Sequence, residues 1–424
     1  MSLLDTALDG GSPRILVDPS SHHLLNAGDV AMTKICAERL RTTWPDARIE
    51  MLTTAPELLA EHCPGARPIP AAGRYALTER GGPRLPWSRP LARAALARAG
   101  RRLIGREPAA RIFAEALLNA DLLLFSGRGG LTDAFPEETA AMLTELEIAA
   151  RIGLPVALVG QGIGPLEDRR AQKRMASALL GVAFTSLREG RIAPDLLASI
   201  GVARERVAVT GDDAIELAFR GRPDRLGGAV GLNVRVADYA GVASEAATQV
   251  GAAVGRKARE LGADVVPIAI SSHPHENESA ALRGAGAPSD AIATPASAID
   301  AAGRCRVAVV GSYHAAVFAL SQGVPVVGLA TSPYYIDKLL GLRERFGEGC
   351  KVLRTDGDAR GATLDAIIAE LDRQWSTAPT LREELLEAAE RQVELSRAAH
   401  ARAAAAIATD AVSTPAFPPS TGDR

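Results

Sequence analysis

One histidine stands where a glycine turn meets a helix. Gly311-Ser312-Tyr313-His314 ends the strand-like run 306–310 and opens a small, apolar stretch, Ala315 to Ser321, that Gly323-Val324-Pro325 halts. In the first turn of a helix an imidazole meets the positive end of the dipole, which also attracts an anionic substrate, and imidazole is well suited to proton transfer near neutral pH. The position equally suits a histidine that caps the helix or packs in the core. Two further glycine turns end apolar runs, Gly127-Arg128-Gly129-Gly130 after 121–126 and Gly160-Gln161-Gly162-Ile163-Gly164-Pro165 after 155–159. Backbone N–H groups in such turns can hold an anion, although close packing of strand on helix calls for glycine too. None of them has the spacing of a dinucleotide or P-loop fingerprint. His273-Pro274-His275-Glu276 carries metal-ligand residue types. Pro274 between the histidines and the lack of a third ligand argue against zinc and for a loop that lines substrate. His22 and His23 either line the acceptor side of a site or are an exposed loop pair.

The elements that must carry these groups follow a βαβ rhythm. Runs 14–18 and 50–53 read as strands, with a helix from about Val30 to Arg41 between them, opened by Asn26-Ala27-Gly28-Asp29 with Asp29 as its N-cap. Strand 121–126, helix 138–151, strand 155–159, helix 168–180, strand 182–187, helix 191–199 and strand 206–210 follow. Residues 220–228 turn to Gly, Arg and Pro and suit an interdomain linker. The rhythm then restarts with strand 229–234, helix 243–261, strand 264–270, helix 295–302, strand 306–310, helix 314–322 and strand 324–329. The expected architecture is α/β, with two doubly wound parallel-sheet domains facing a cleft, residues 1–220 and 221–380. Helices at 363–374 and 381–408 close the fold, and the proline-containing tail from Asp410 to Arg424 is expected to be disordered.

Composition bounds the rest. The 424 residues carry a formal net charge of -2, which calls for neither nucleic acid nor an anionic surface as an obligate partner. Cys36, Cys63, Cys305 and Cys350 stand apart, as structural thiols do. The first eleven residues lack a secretory pattern and no run approaches a membrane span, so the cytoplasm is the expected compartment. Only five of the 48 basic residues are lysine, the other 43 being arginine, a bias that makes any single arginine weak evidence of a site. Residues 71–111 hold ten arginines against Glu79 and Glu107 and read as an excursion with a helix. They could ride on an anionic lipid surface, or be a solvated basic face.

The ordered motifs resemble the polysaccharide pyruvyl transferase family. They are Asn26-Ala27-Gly28-Asp29, Ser126-Gly127-Arg128-Gly129-Gly130, Gly160 to Pro165, Ser186-Leu187-Arg188-Glu189, Asp212-Asp213, Leu232-Asn233-Val234-Arg235, Gly311 to His314 with Val317-Phe318-Ala319-Leu320, and Tyr334-Tyr335-Ile336-Asp337-Lys338. The likeness spans about residues 14–340. It implies glycosyltransferase-B-like paired Rossmann domains, phosphoenolpyruvate as donor, and a free, nucleotide-linked or lipid-linked saccharide as acceptor, with no cofactor or metal. His314 would be the general acid, and Asn26 and Asp29 would bind or deprotonate a sugar hydroxyl. Arg188, Arg235 and Lys338 would hold the donor's anionic groups, with Gly28, Gly129, Gln161 and Gly162 lining the site. Two positions depart from the family pattern: Ser312 stands where an arginine is common, and Arg128 interrupts a glycine run and could supply a replacement guanidinium. A nucleotide-sugar glycosyltransferase and a non-catalytic binding paralogue are the alternatives.

Overall fold

The computed structural model describes residues 12–235, 243–274, 276, 278–355 and 363–410. His275 and the tail beyond Asp410 lie outside the described residues. Seven parallel strands form the first sheet: β1 (Arg14–Pro19), β2 (Arg48–Thr53), β3 (Arg67–Pro70), β4 (Leu122–Ser126), β5 (Val156–Gln161), β6 (Val182–Leu187) and β7 (Val207–Val209), in the order β3-β2-β1-β4-β5-β6-β7. The second sheet contains β8 (Ala229–Asn233), β9 (Val265–Pro267), β10 (Cys305–Val310), β11 (Val326–Ala330) and β12 (Cys350–Arg354), in the order β12-β11-β10-β8-β9. Helices cover both faces of each sheet, so a central strand such as β4, Leu-Leu-Leu-Phe-Ser, is buried along its whole length and needs an unbroken apolar run. These are two Rossmann-like doubly wound lobes of the glycosyltransferase-B-like kind.

Backbone contacts tie the lobes together near the first helix, Ala27–Thr43. The Ala27 N–H donates to the Ile270 carbonyl at 2.8 Å and the Ser272 N–H to the Leu25 carbonyl at 2.8 Å. Asn26, not Asp29, caps this helix: its Oδ1 accepts from the N–H groups of Gly28 at 3.0 Å and Asp29 at 3.3 Å, while Asp29 lies within the first turn. One core joins Ala27, Ala31 and Met32 of the first lobe to Ile268, Ile270 and Phe318 of the second.

The expected pair of C-terminal helices is one element, Leu364–Asp410, with Pro379 inside it. It runs along both lobes. Ile367 and Leu371 pack under the second sheet, Leu385 and Ala389 join the interlobe core, and Ala399 and Ala403 complete the core of the first lobe. Charges fix its far end, where Arg39 pairs with Asp213 at 2.8 Å and with Glu216 at 2.6 Å, Arg397 reaches Glu216 at 2.6 Å, and His400 reaches Asp213 at 3.1 Å. Burial opposes ionisation of Glu216, but Arg397 and Arg39 hold its carboxyl down at about 2. Among the described residues no helix is long and apolar enough to cross a membrane.

Candidate active site

In open parallel sheets ligands bind beyond the carboxyl ends of the strands, at the point where strand order reverses. That point lies between β1 and β4 in the first sheet and between β8 and β10 in the second. One cavity of about 350 Å³ joins them, at the lower end of the range for small-molecule sites. The loop after β1 and the turn after β4 form one wall of it, and Arg235, Ser312, Tyr313, His314, Tyr334, Tyr335 and Lys338 form the other.

His314 is the second residue of helix Tyr313–Leu320, with Ser312 at the N-cap. Its ring lies across Gly28: a Cβ at position 28 would fall 1.9 Å from the imidazole Cγ. Glycine is therefore the residue that lets the first helix of one lobe and the histidine of the other come together. The His314 Nε2 lies 3.7 Å from the Asp212 carboxylate, a charge contact longer than a hydrogen bond, and it has no hydrogen-bond partner. Burial disfavours the Asp212 anion, but His314 and Arg188 beside it hold the carboxyl below its ordinary range.

Arg188 follows β6 and is buried. It donates to Glu189 at 3.0 Å, approaches Asp212 at 3.4 Å and lies 4.6 Å from the centre of the Tyr313 ring. Its Nη2 is buried and unpartnered, near the space above Gly129 that the Tyr334 hydroxyl and the Lys338 ammonium also approach. Lys338 bonds the Tyr334 hydroxyl and sits 3.9 Å from that ring's centre. Burial and the Arg188 guanidinium push the Lys338 ammonium well below the usual lysine value. The free edge of Arg188, Lys338 and the His314 Nε2 thus border one space, where a compact anion would find donors.

The other two arginines are already paired. Arg235 contacts Glu276 at 3.1 Å and Glu278 at 3.1 Å, and its Nη2 is 3.4 Å from the Ser312 hydroxyl. Arg128 bonds Asp18 at 2.8 Å, Glu138, and the Pro19 carbonyl at 2.6 Å. Gln161 lies off the cavity, with its amide donating to the carbonyls of Phe125 at 3.1 Å and Val159 at 2.8 Å. Gly162 leaves room for Arg188 and donates to the Arg128 carbonyl at 2.8 Å. Asn26 and Asp29 line the cavity beside His314.

A buried ionic cluster behind the first wall had no sequence signal of its own. Arg74 is fully buried, donates to Glu145 and Glu138 at 2.8 Å each, and reaches Asp18 at 3.2 Å. It is one of the ten arginines of residues 71–111, whose composition suits a solvated basic face or a lipid surface and not a buried cation. His22 is buried as well, unlike an exposed loop residue, whereas His23 is exposed, with its ring centre 6.1 Å from that of His273 in the opposite lobe. Among the described residues no three His, Cys, Asp or Glu side chains are grouped to hold a metal ion.

No curated protein sequence matches this chain. Solved structures of similar fold include the UDP-GlcNAc 2-epimerase of Neisseria meningitidis bound to UDP-GlcNAc, with TM-score 0.54, 10% identity, and coverage of 92% of this chain and 98% of that one. A UDP-N-acetylglucosamine 2-epimerase (TM-score 0.51, 15% identity, 90% of this chain and 94% of that one) and the glycotransferase of kitacinnamycin (TM-score 0.51, 14% identity, 92% and 97%) are similar too. At these identities the likeness is one of fold. The sequence model of one family, by contrast, matches residues 26–333, most of the chain and every element that lines the second wall up to Pro333. This chain belongs to the polysaccharide pyruvyl transferase family.

Proposed function

We propose that this protein moves the pyruvyl group of phosphoenolpyruvate onto a saccharide as a ketal, releasing phosphate. The observation that carries the reading is that His314 Nε2 and Arg188 Nη2, both buried and both without a partner, border one cavity beside Lys338. Arg188 and Lys338 hold the donor's carboxylate and phosphate. His314 gives a proton to the enol CH2 carbon, which becomes the methyl group, and the neighbouring carbon becomes an oxocarbenium-like centre that a sugar hydroxyl attacks. A second hydroxyl closes the ketal as the bond to phosphate oxygen breaks. Of the two hydroxyl protons, one replaces the proton His314 gave and the other leaves with phosphate. Phosphate release from phosphoenolpyruvate should depend on added saccharide and fall at least about 10²-fold in His314→Ala. Full activity in that variant would remove His314 from the mechanism.

A nucleotide-sugar transferase is the second reading, favoured by the fold shared with an epimerase that holds UDP-GlcNAc. Melting temperature measured with phosphoenolpyruvate and with UDP-sugars separates the two, since a ligand in excess stabilises the protein that binds it.

The acceptor reading extends to a lipid-linked saccharide delivered at an anionic membrane surface. Residues 80–106 contain eight arginines and no acidic residue. Four of the nine exposed large apolar side chains among the described residues, Trp87, Leu91, Ile104 and Ile112, fall in or beside that stretch. Binding to anionic vesicles that fades with salt and with Trp87→Ser supports this, and equal binding to neutral vesicles sinks it.

A further inference from the structure

Two hydroxyl protons must leave the acceptor, and His314, once it has protonated the donor, takes back only one of them. A chain of hydrogen bonds in the first wall ends at the cavity. It starts at Asp18, fully buried at the end of β1, whose carboxylate accepts from Arg128 at 2.8 Å and faces Arg74 at 3.2 Å. Burial opposes its ionisation, yet these two guanidiniums hold the carboxyl well below its ordinary range. An ionised Asp18 has no hydrogen to give and lies 2.7 Å from the His22 Nε2, closer than the Arg128 Nη2 at 3.2 Å, so that nitrogen carries the proton toward Asp18. Burial also keeps the His22 imidazole below its ordinary value of 6.5, and a neutral ring with hydrogen on Nε2 has a lone pair on Nδ1. The Tyr75 hydroxyl, 2.6 Å from Nδ1, must therefore be the donor in that bond. Its own oxygen lone pairs remain available on the cavity wall, where Tyr75 is 41% exposed.

We infer that Asp18, His22 and Tyr75 form a proton relay in which the Tyr75 oxygen receives the proton of the attacking saccharide hydroxyl while the Tyr75 proton moves to His22 Nδ1. This rests on the transferase reading above and names the group that activates the acceptor. The hydroxyl O–H bond breaks as its oxygen bonds to the central carbon of the donor, and the product of the shift is a His22 imidazolium opposite Asp18. The same path in reverse hands that proton to the departing phosphate and resets the relay for the next turnover, while the other hydroxyl proton restores His314. Burial raises the Tyr75 phenol above its usual value, so the tyrosine hands a proton on rather than resting as phenolate. Arg74, Arg128 and Glu138 face this chain as well. The two arginines disfavour a resting imidazolium, which keeps His22 ready to accept.

The test is Tyr75→Phe. Phosphate release from phosphoenolpyruvate is followed with a panel of p-nitrophenyl hexosides from about pH 5 to 9, with the melting-temperature shift on adding phosphoenolpyruvate as the measure of donor binding. The expected result is a loss in kcat of about 10²- to 10³-fold with an unchanged donor-induced shift. Wild-type kcat should fall on the acid side, below the ordinary imidazole value, as His22 becomes protonated; the variant should lose that limb. His22→Asn should reproduce both effects. A kcat within threefold of wild type, a rise in acceptor KM alone, or an acid limb retained in Tyr75→Phe overturns the relay and leaves the transferase reading standing. Absence of phosphate release by the wild type with every hexoside overturns both.

Discussion

The substitution Gly28→Ala adds one methyl group between the lobes. Its ideal position is 1.9 Å from His314 Cγ, 2.2 Å from Nδ1 and 2.4 Å from Cδ2. Carbon atoms in contact rest about 3.5–4.0 Å apart, so ring and helix must separate by roughly 1.5–2 Å. The helix is poorly placed to move. Asn26 caps it, and the backbone bonds from Ala27 to Ile270 and from Ser272 to Leu25 pin its start to the opposite lobe. The imidazole must turn away instead, and Nε2 goes with it. A misplacement of that size costs about 10²-fold in rate, equivalent to about 2.7 kcal/mol in the barrier. Stability should respond differently, because overpacking costs about 1–3 kcal/mol while replacing a helical glycine returns about 0.4–1 kcal/mol. Saccharide-dependent phosphate release measures the first effect and urea unfolding the second. In a His314→Ala background all three clashing atoms are gone, so the same methyl should be neutral or stabilising by up to about 1 kcal/mol. Wild-type rate in Gly28→Ala, or an equal stability cost in both backgrounds, would refute the placement of the ring.

Three other outcomes follow from the geometry. Arg188→Lys removes the unpartnered Nη2 and the planar fork, so donor affinity should fall about tenfold or more while the acceptor KM holds; titration of the melting temperature with phosphoenolpyruvate reads it. Arg74→Ala leaves Asp18, Glu138 and Glu145 without their shared cation and should cost about 3–5 kcal/mol in urea unfolding, more than any exposed arginine between 89 and 106. On acidification the end of the C-terminal helix should loosen. Glu216 titrates near 4.5 in the unfolded chain and at about 2 when folded, so its contribution is complete above 4.5 and is lost as pH falls toward 2. Protease cleavage after residue 390 that rises through that window checks it, and Arg397→Ala should move its onset to higher pH.

Legibility from sequence followed burial. The central strands β4, β5 and β10 carry the apolar runs Leu122–Phe125, Val156–Val159 and Val307–Val310 because helices cover both faces, and these runs are unmistakable. Edge strand β3, Arg-Pro-Ile-Pro, has one buried residue and β12, Cys-Lys-Val-Leu-Arg, is half-exposed, so neither shows such a run. Helices Pro56–His62 and Ser279–Ala285 are seven residues each, too short for a clear period. Pro379 signals a break that the long C-terminal helix does not make. In the site, the glycine turns and His314 could be placed because strand ends fix them. The ion pairs could not be placed, since Arg74 meets Asp18 across 56 positions and Arg235 meets Glu278 across 43, distances that only the packed fold closes. For that reason Arg128 and Arg235 read from sequence as cations open to substrate, whereas each arrives at the cavity already bound to carboxylates.

The long last helix also bears on how the chain is made. Asp213 meets His400 across 187 positions, and the first lobe lacks Ala399 and Ala403 until that helix docks. At roughly 5–20 residues per second, a ribosome exposes a nearly finished amino-terminal lobe for on the order of 10–40 s before its final covering emerges. A nonsense mutation between the first lobe and Ser396 leaves that lobe open for good, with buried Asp213 missing Ser396 and His400 and Arg39 missing Ser396. Chaperone capture should therefore centre on the nascent first lobe, and release should coincide with synthesis of the last few turns.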